Sequence, residues 1–320
     1  MSVSRPCPVV SGNFDHGWDR RHVCCAAPIH DLSARFPAVG IKKLPIDKSE
    51  WESYFDESGH LTKSRDFVSS NILERGLDPS VRSEAWKFLT GYYLWRSSHD
   101  ERLAVDGKRR RNYEALCSMY DKIQPLLETQ NRDFMEIRSF IKYQQGFHEM
   151  LLLFQLLVEK EHEIFWLFQF FLQKTEHSCV INIGVEKNLI MLKAVIAFMD
   201  PVFAKHLEGK GNQVVPSLFP WFCLFFQQVF KTIDDIWRLW EVFLTGLPCR
   251  NFQVIVAYTM LQMVRDDILK ENMSGDDILL VRLVLELESL RIIPTAVKAH
   301  LLQKGVNLEA GKWVLMGRGK

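Results

Sequence analysis

Residues 78–89 read Asp78-Pro79-Ser80-Val81-Arg82-Ser83-Glu84-Ala85-Trp86-Lys87-Phe88-Leu89. An Asp can accept hydrogen bonds from the free amides that open a helix, and a Pro is tolerated at the first helical position. Val81, Ala85, Phe88, Leu89 and then Tyr92 follow at helical spacing, so they predict one buried face. The same grammar recurs at Asp200-Pro201. Upstream, Phe67, Val68, Ile72 and Leu73 share a face and Gly76 ends the run. Downstream, Val185, Leu189, Leu192, Ile196 and Met199 recur at steps of four and three. Thr232 is a cap, with Asp234 and Asp235 in the first turn where the helix dipole favours acids. The face expected behind it is Ile233, Ile236, Trp237, Trp240 and Leu244, stopped by Gly246. No window alternates with period two, so the chain reads as all-α, multi-helix, with no sheet.

Other segments read less sharply. Arg96 to Arg111, with its run Lys108-Arg109-Arg110-Arg111, reads as a solvated loop. Tyr113, Leu116, Cys117, Tyr120 and Ile123 make a helix that Pro125 should stop, and Phe134, Ile137 and Ile141 a short one. Ile164 to Leu172 is apolar nearly all round and belongs in the core. Asn251 to Glu271 reads as one long helix, and Ser274 with Asp276 and Asp277 opens another.

Composition narrows the function. The 320 residues are 47% hydrophobic and 25% charged with a formal net charge of +1, which suits a folded protein and excludes a largely disordered chain. There is no basic excess with which to neutralise phosphates, so no nucleic-acid partner is expected. The longest charge-free stretch, between Lys210 and Lys231, is broken by Pro216, Pro220 and several amides, so no transmembrane segment is expected. Seven Cys without framework spacing read as reduced cytoplasmic thiols. His22, Cys24, Cys25 and His30 lack zinc-site spacing, so no metal is expected. Phosphate loops, dinucleotide fingerprints and hydrolase elbows are absent, and His148-Glu149 lacks the second His of a zinc protease. The chain is therefore not expected to be an enzyme on its own account. Residues 1–45, rich in Pro, read as a disordered tail.

Three stretches carry more. They are Arg75-Gly76-Leu77-Asp78-Pro79 continuing through Arg82 to Trp86, Tyr143-Gln144-Gln145-Gly146, and Ser217-Leu218-Phe219-Pro220-Trp221 followed by Arg238-Leu239-Trp240-Glu241. In this order, in a helical chain, they resemble the TBC domain of Rab GTPase-activating proteins. The resemblance covers residues 46–280 and leaves 281–320 as a divergent tail. It implies a Rab-family small GTPase as partner, to which GTP and Mg2+ belong, and no cofactor of the chain's own. It also implies membrane contact only through that partner. A narrower likeness over Asp47–Asp66 and Tyr143–Asn182, to a male germ cell member, implies an acrosomal or cytoskeletal setting.

GTP hydrolysis needs a water held in line with the γ-phosphate and a neutraliser for the developing charge. The family supplies both in trans, so the resemblance makes Gln145 the glutamine finger, with Tyr143 and Gly146 shaping its turn. An amide suits this because it donates and accepts from one planar group. Arg82 and Trp86, four apart on one helix, can stack on each other, and read mainly as packing with partner binding the alternative.

The arginine finger is missing. The family's Ile-x-x-Asp-x-x-Arg element occurs nowhere before Tyr143, where the chain reads Arg132-Asp133-Phe134-Met135-Glu136-Ile137-Arg138. Only 57 positions separate Trp86 from Tyr143, short for the family by about 40, or a few helices. Weak or absent activation is expected, and a non-catalytic helical adaptor is the alternative. The gap should also uncover the apolar faces of the Tyr113–Ile123 and Phe147–Val158 helices, lowering stability and favouring self-association.

Overall fold

The computed structural model describes residues 44–129, 146–175, 181–211, 214–249, 251–270 and 289–303. Among these the chain is α-helical, with only isolated bridges Ile46 to Leu77 and Phe55 to Leu61 and no sheet. The expected all-α fold is what the structure has.

The caps are where local chemistry put them. Helix α1 (Lys48–Glu52) is capped by Asp47 and α2 (Arg65–Arg75) by Ser64. Asp78 accepts from the Ser80 amide at 2.9 Å to open α3 (Pro79–Thr90), which Gly91 closes in the left-handed region at φ 90°. Helix α4 (His99–Thr129) occupies the stretch read as a loop and continues through Pro125. Two features account for the difference. Ser98 and Glu101 form a reciprocal capping box at 2.8 and 3.2 Å. The basic run also hides a packing position, for the Arg109 guanidinium lies 4.3 Å over the Tyr92 ring and 4.4 Å over that of Phe170. A Pro removes one helical hydrogen bond, which weakens a helix without always ending it.

Helices α5 (Phe147–Leu157), α6 (Glu161–Lys174), α7 (Ile181–Met199) and α8 (Pro201–Gly209) follow, then the short α9 (Phe219–Cys223). In α6 Leu167, Phe171 and Leu172 are buried, but Phe165 is exposed, so that helix has a wet side after all. Helix α10 (Ile233–Thr245) is capped by Thr232 and closed by Gly246 as expected. Its buried face is Ile236, Leu239, Trp240, Val242 and Leu244, whereas Ile233, in the first turn, is exposed.

The single helix expected over Asn251–Glu271 is two, α11 (Phe252–Met263) and α12 (Arg265–Lys270). Val264 leaves helical geometry between them. Arg265 there bonds the buried Asp200, which also caps the Phe203 amide at 3.0 Å and accepts from Gln262 at 3.2 Å. Burial alone would raise the Asp200 carboxyl, but these donors outweigh it and hold the group below its ordinary value. Helix α11 is buried nearly all round, between α7 and α13 (Ser289–Gln303). Inside the stretch read as a divergent tail, α13 thus buries Ile292, Ile293, Ala296 and Ala299. The helices expected at Phe134–Ile141 and from Ser274 lie outside the described residues. No helix among the described residues is long and apolar enough to cross a membrane.

Candidate functional site

The first and third motifs meet. Gly76 ends α2 at φ 79°, and the Arg238 side chain of α10 lies where a Cβ on Gly76 would stand, 2.7 Å from Cδ. Only Gly offers both that backbone angle and that space. Arg238 donates to the Leu73 carbonyl at 2.6 Å, sealing the end of α2. Arg82, one turn into α3, donates from Nε to the Glu241 carboxylate at 2.8 Å and from a terminal nitrogen to Asp234 at 2.9 Å. Its guanidinium also lies 4.9 Å over the Trp237 ring. Glu241 is fully buried and accepts from the Leu77 amide at 3.3 Å as well. Burial pushes its carboxyl up, and Arg82 and Arg238 pull it back.

Trp86 lies one turn further along α3. It stacks on Phe171 with centroids 6.3 Å apart, meets Phe154 edge-on at 5.6 Å and touches Trp240 at 6.3 Å. Arg82 and Trp86 therefore do not stack on each other. Arg82 takes Trp237 and Trp86 takes Trp240, one helix partner each, and both side chains are buried. These motif residues clamp α3 to α10.

At Gly146 the second motif meets the turn that links the two halves of the third. Gly146 caps α5 at φ 100° with no side-chain bond, and a Cβ there would lie 2.1 Å from Leu224 Cδ2. Leu224 begins a turn in which Phe225 and Phe226 both hold positive φ, 47° and 61°, which bulky residues rarely adopt. The Trp240 indole donates to the Phe225 carbonyl at 2.8 Å and pins that turn. Beyond it, Gln227 donates to the Glu149 carbonyl at 3.1 Å, in the first turn of α5. The start of α5, two residues after Gln145, is thus held by a strained turn that α10 supports. Tyr143 and Gln145 themselves lie outside the described residues.

Replacing Gly146 by Ala should destabilise the fold by about 1–3 kcal/mol, from strain at positive φ and overpacking. Made in a Leu224→Ala background, the same Gly146→Ala change should cost less, because only the φ requirement stays. Thermal melts of the two single variants and the double variant read this directly.

The roles of several site residues escaped the sequence. Glu241 is an acid among apolar neighbours on a buried face, a pattern that demands a cation partner. Leu224 and Gln227 carry no such signal. No group of His, Cys, Asp or Glu that could hold a metal occurs among the described residues, and His22, Cys24, Cys25 and His30 lie outside them.

The model of the Rab-GTPase-TBC domain family matches residues 79–269, from the start of α3 to the end of α12. The chain belongs to that family. It is similar to human TBC1 domain family member 21, 58% identical over 323 aligned positions that cover 88% of this chain and 96% of the relative. Since 88% of 320 residues is about 282, about 40 of those aligned positions have no counterpart here. The mouse protein of the same name is 56% identical over the same span. Human TBC1 domain family member 17 is 24% identical over 275 positions, covering 73% of this chain and 42% of that protein. The crystal structure of the Ypt/Rab-GAP domain of Gyp1p superposes with a TM-score of 0.62 at 14% identity, covering 81% of this chain and 98% of that one, a likeness of fold.

Proposed function

We propose that this chain binds a Rab-family GTPase through its TBC fold, with Gln145 as the amide that addresses the nucleotide. The observation that carries the reading is the seat of the second motif. Gly146 is locked against Leu224, beside the strained Phe225–Phe226 turn, a cradle that supports the start of α5. Arg82 and Trp86 serve by building that cradle through α10 rather than by touching the partner. The protein acts on the cytoplasmic face of a vesicle, reaching the membrane through its GTPase. GTP and Mg2+ come with the partner.

A second reading is favoured by one specific feature. The chain has no Ile-x-x-Asp-x-x-Arg element, and an arginine finger contributes about 10³–10⁵ in rate. Hence the chain stimulates hydrolysis weakly or not at all, and acts as an adaptor that holds the GTPase. Single-turnover GTP hydrolysis by a panel of Rab proteins, with and without the chain, tests this. The expected result is binding without a large rate gain. Stimulation matching that of an active TBC protein at equal concentration would overturn the adaptor reading, and Arg132→Ala and Arg138→Ala would then show which arginine supplies the charge. Absence of binding to any Rab would remove both readings.

A further inference from the structure

Helix α4 runs antiparallel to α6. Arg109 O accepts from the Trp166 indole at 3.0 Å, and Tyr113 meets Phe165 with centroids 5.3 Å apart, close to where α6 begins at Glu161. Sixteen residues of α4 remain beyond Tyr113, about 24 Å of helix. The stripe on which Val105 packs against the core and Arg109 and Tyr113 meet α6 continues along this overhang as Leu116, Tyr120 and Ile123, with no change of face. Those three are 44%, 59% and 41% exposed, and Met119 on the flank is 57% exposed. The steps from Tyr113 through Leu116 and Tyr120 to Ile123 are three, four and three, the spacing of a helix that pairs with another helix.

We propose that this overhang pairs with the same half-helix of a second copy of the chain, antiparallel about a two-fold axis near Met119 and Tyr120. Charge selects the direction. Lys108, Arg110 and Arg111 are exposed at the root of the overhang. A parallel pair would set the two basic runs side by side, whereas the antiparallel pair parts them by about 28 Å, well beyond a Debye length. The residues brought across the axis, Cys117, Ser118, Met119 and Tyr120, are uncharged, so nothing repels at the centre. Area is sufficient as well. Leu116, Met119, Tyr120, Ile123 and the exposed Phe165 at the corner leave about 100 Å² bare apiece, so a symmetric pair covers about 1,000 Å², at the threshold of a specific interface. The pairing stands whether or not the chain activates a GTPase.

Sedimentation velocity of the full chain over a concentration series tests it. The expected result is a discrete species of twice the 37.4 kDa chain mass, and a double variant Leu116→Glu with Ile123→Glu whose dissociation constant rises about 100-fold or more. Both positions are exposed in one copy, so helicity by circular dichroism should stay unchanged. A second measurement uses the unaltered chain, so it decides even if the variant does not fold. A short bis-maleimide should link Cys117 of one copy to Cys117 of the other, mapped by mass spectrometry. A monomer at every concentration, a dimer that survives the double substitution, a polydisperse aggregate, or dimers cross-linked only elsewhere would each overturn the proposal.

Discussion

Trp86→Ala should abolish cooperative unfolding. Trp86 is fully buried and touches Phe154, Phe171 and Trp240, which also contact one another. Truncating a buried Trp costs about 3–5 kcal/mol, a large part of the 5–15 kcal/mol that holds a typical domain together. The loss falls at the junction of α3, α5, α6 and α10, so no side of the cavity can collapse without moving a helix. A broad, shallow melt with exposed hydrophobic surface is the expected readout, and Trp86→Phe should restore much of the transition. A Trp86→Ala protein that melts like its parent but no longer binds a GTPase would instead make this side chain a contact residue.

The second large effect concerns Glu241. Glu241→Gln leaves the buried Arg82 without its acid and the half-buried Arg238 without a nearby negative charge, and breaking one partner of a buried pair costs about 3–5 kcal/mol. Arg82→Ala should cost a similar amount, by stranding the carboxylate. Asp234, at 71% side-chain exposure, also accepts from Arg82, but an exposed partner contributes under about 1 kcal/mol, so Asp234→Asn should melt nearly like the parent. Replacing both buried partners, as Arg82→Met with Glu241→Leu, should recover part of the loss. Denaturant midpoints across the four variants check this order, and equal losses at Asp234 and Glu241 would contradict it.

The sequence carried what is local. Asp78, Asp200 and Thr232 cap their helices because side chain and amide lie within three residues of each other. Helix α4 was hidden because its core-facing stripe runs through a basic block, and an Arg that packs on aromatic rings looks the same in sequence as one that faces water. Just past the break at Val264, Arg265 pairs with Asp200, 65 residues away, and no local pattern announces that contact. At the candidate site, the Arg82 and Trp86 spacing pointed to packing but named the wrong partners, since Trp237 and Trp240 arrive from another helix. The need for Gly at 146 was legible only as a motif; its physical cause, Leu224, is a long-range contact.

The clamp between α3 and α10 joins groups 159 residues apart in the chain. A ribosome adds about 5–20 residues per second, so Arg82 and Trp86 emerge roughly 10–30 seconds before the helix that covers them. During that interval α3 has its caps but no lid for its indole, and its guanidinium has no acid. The domain therefore cannot complete its core before α10 has been made. A nascent chain halted before residue 233 should still be held by chaperones, while one released after α13 can close, because α11 and α13 complete the core that α10 begins to cover.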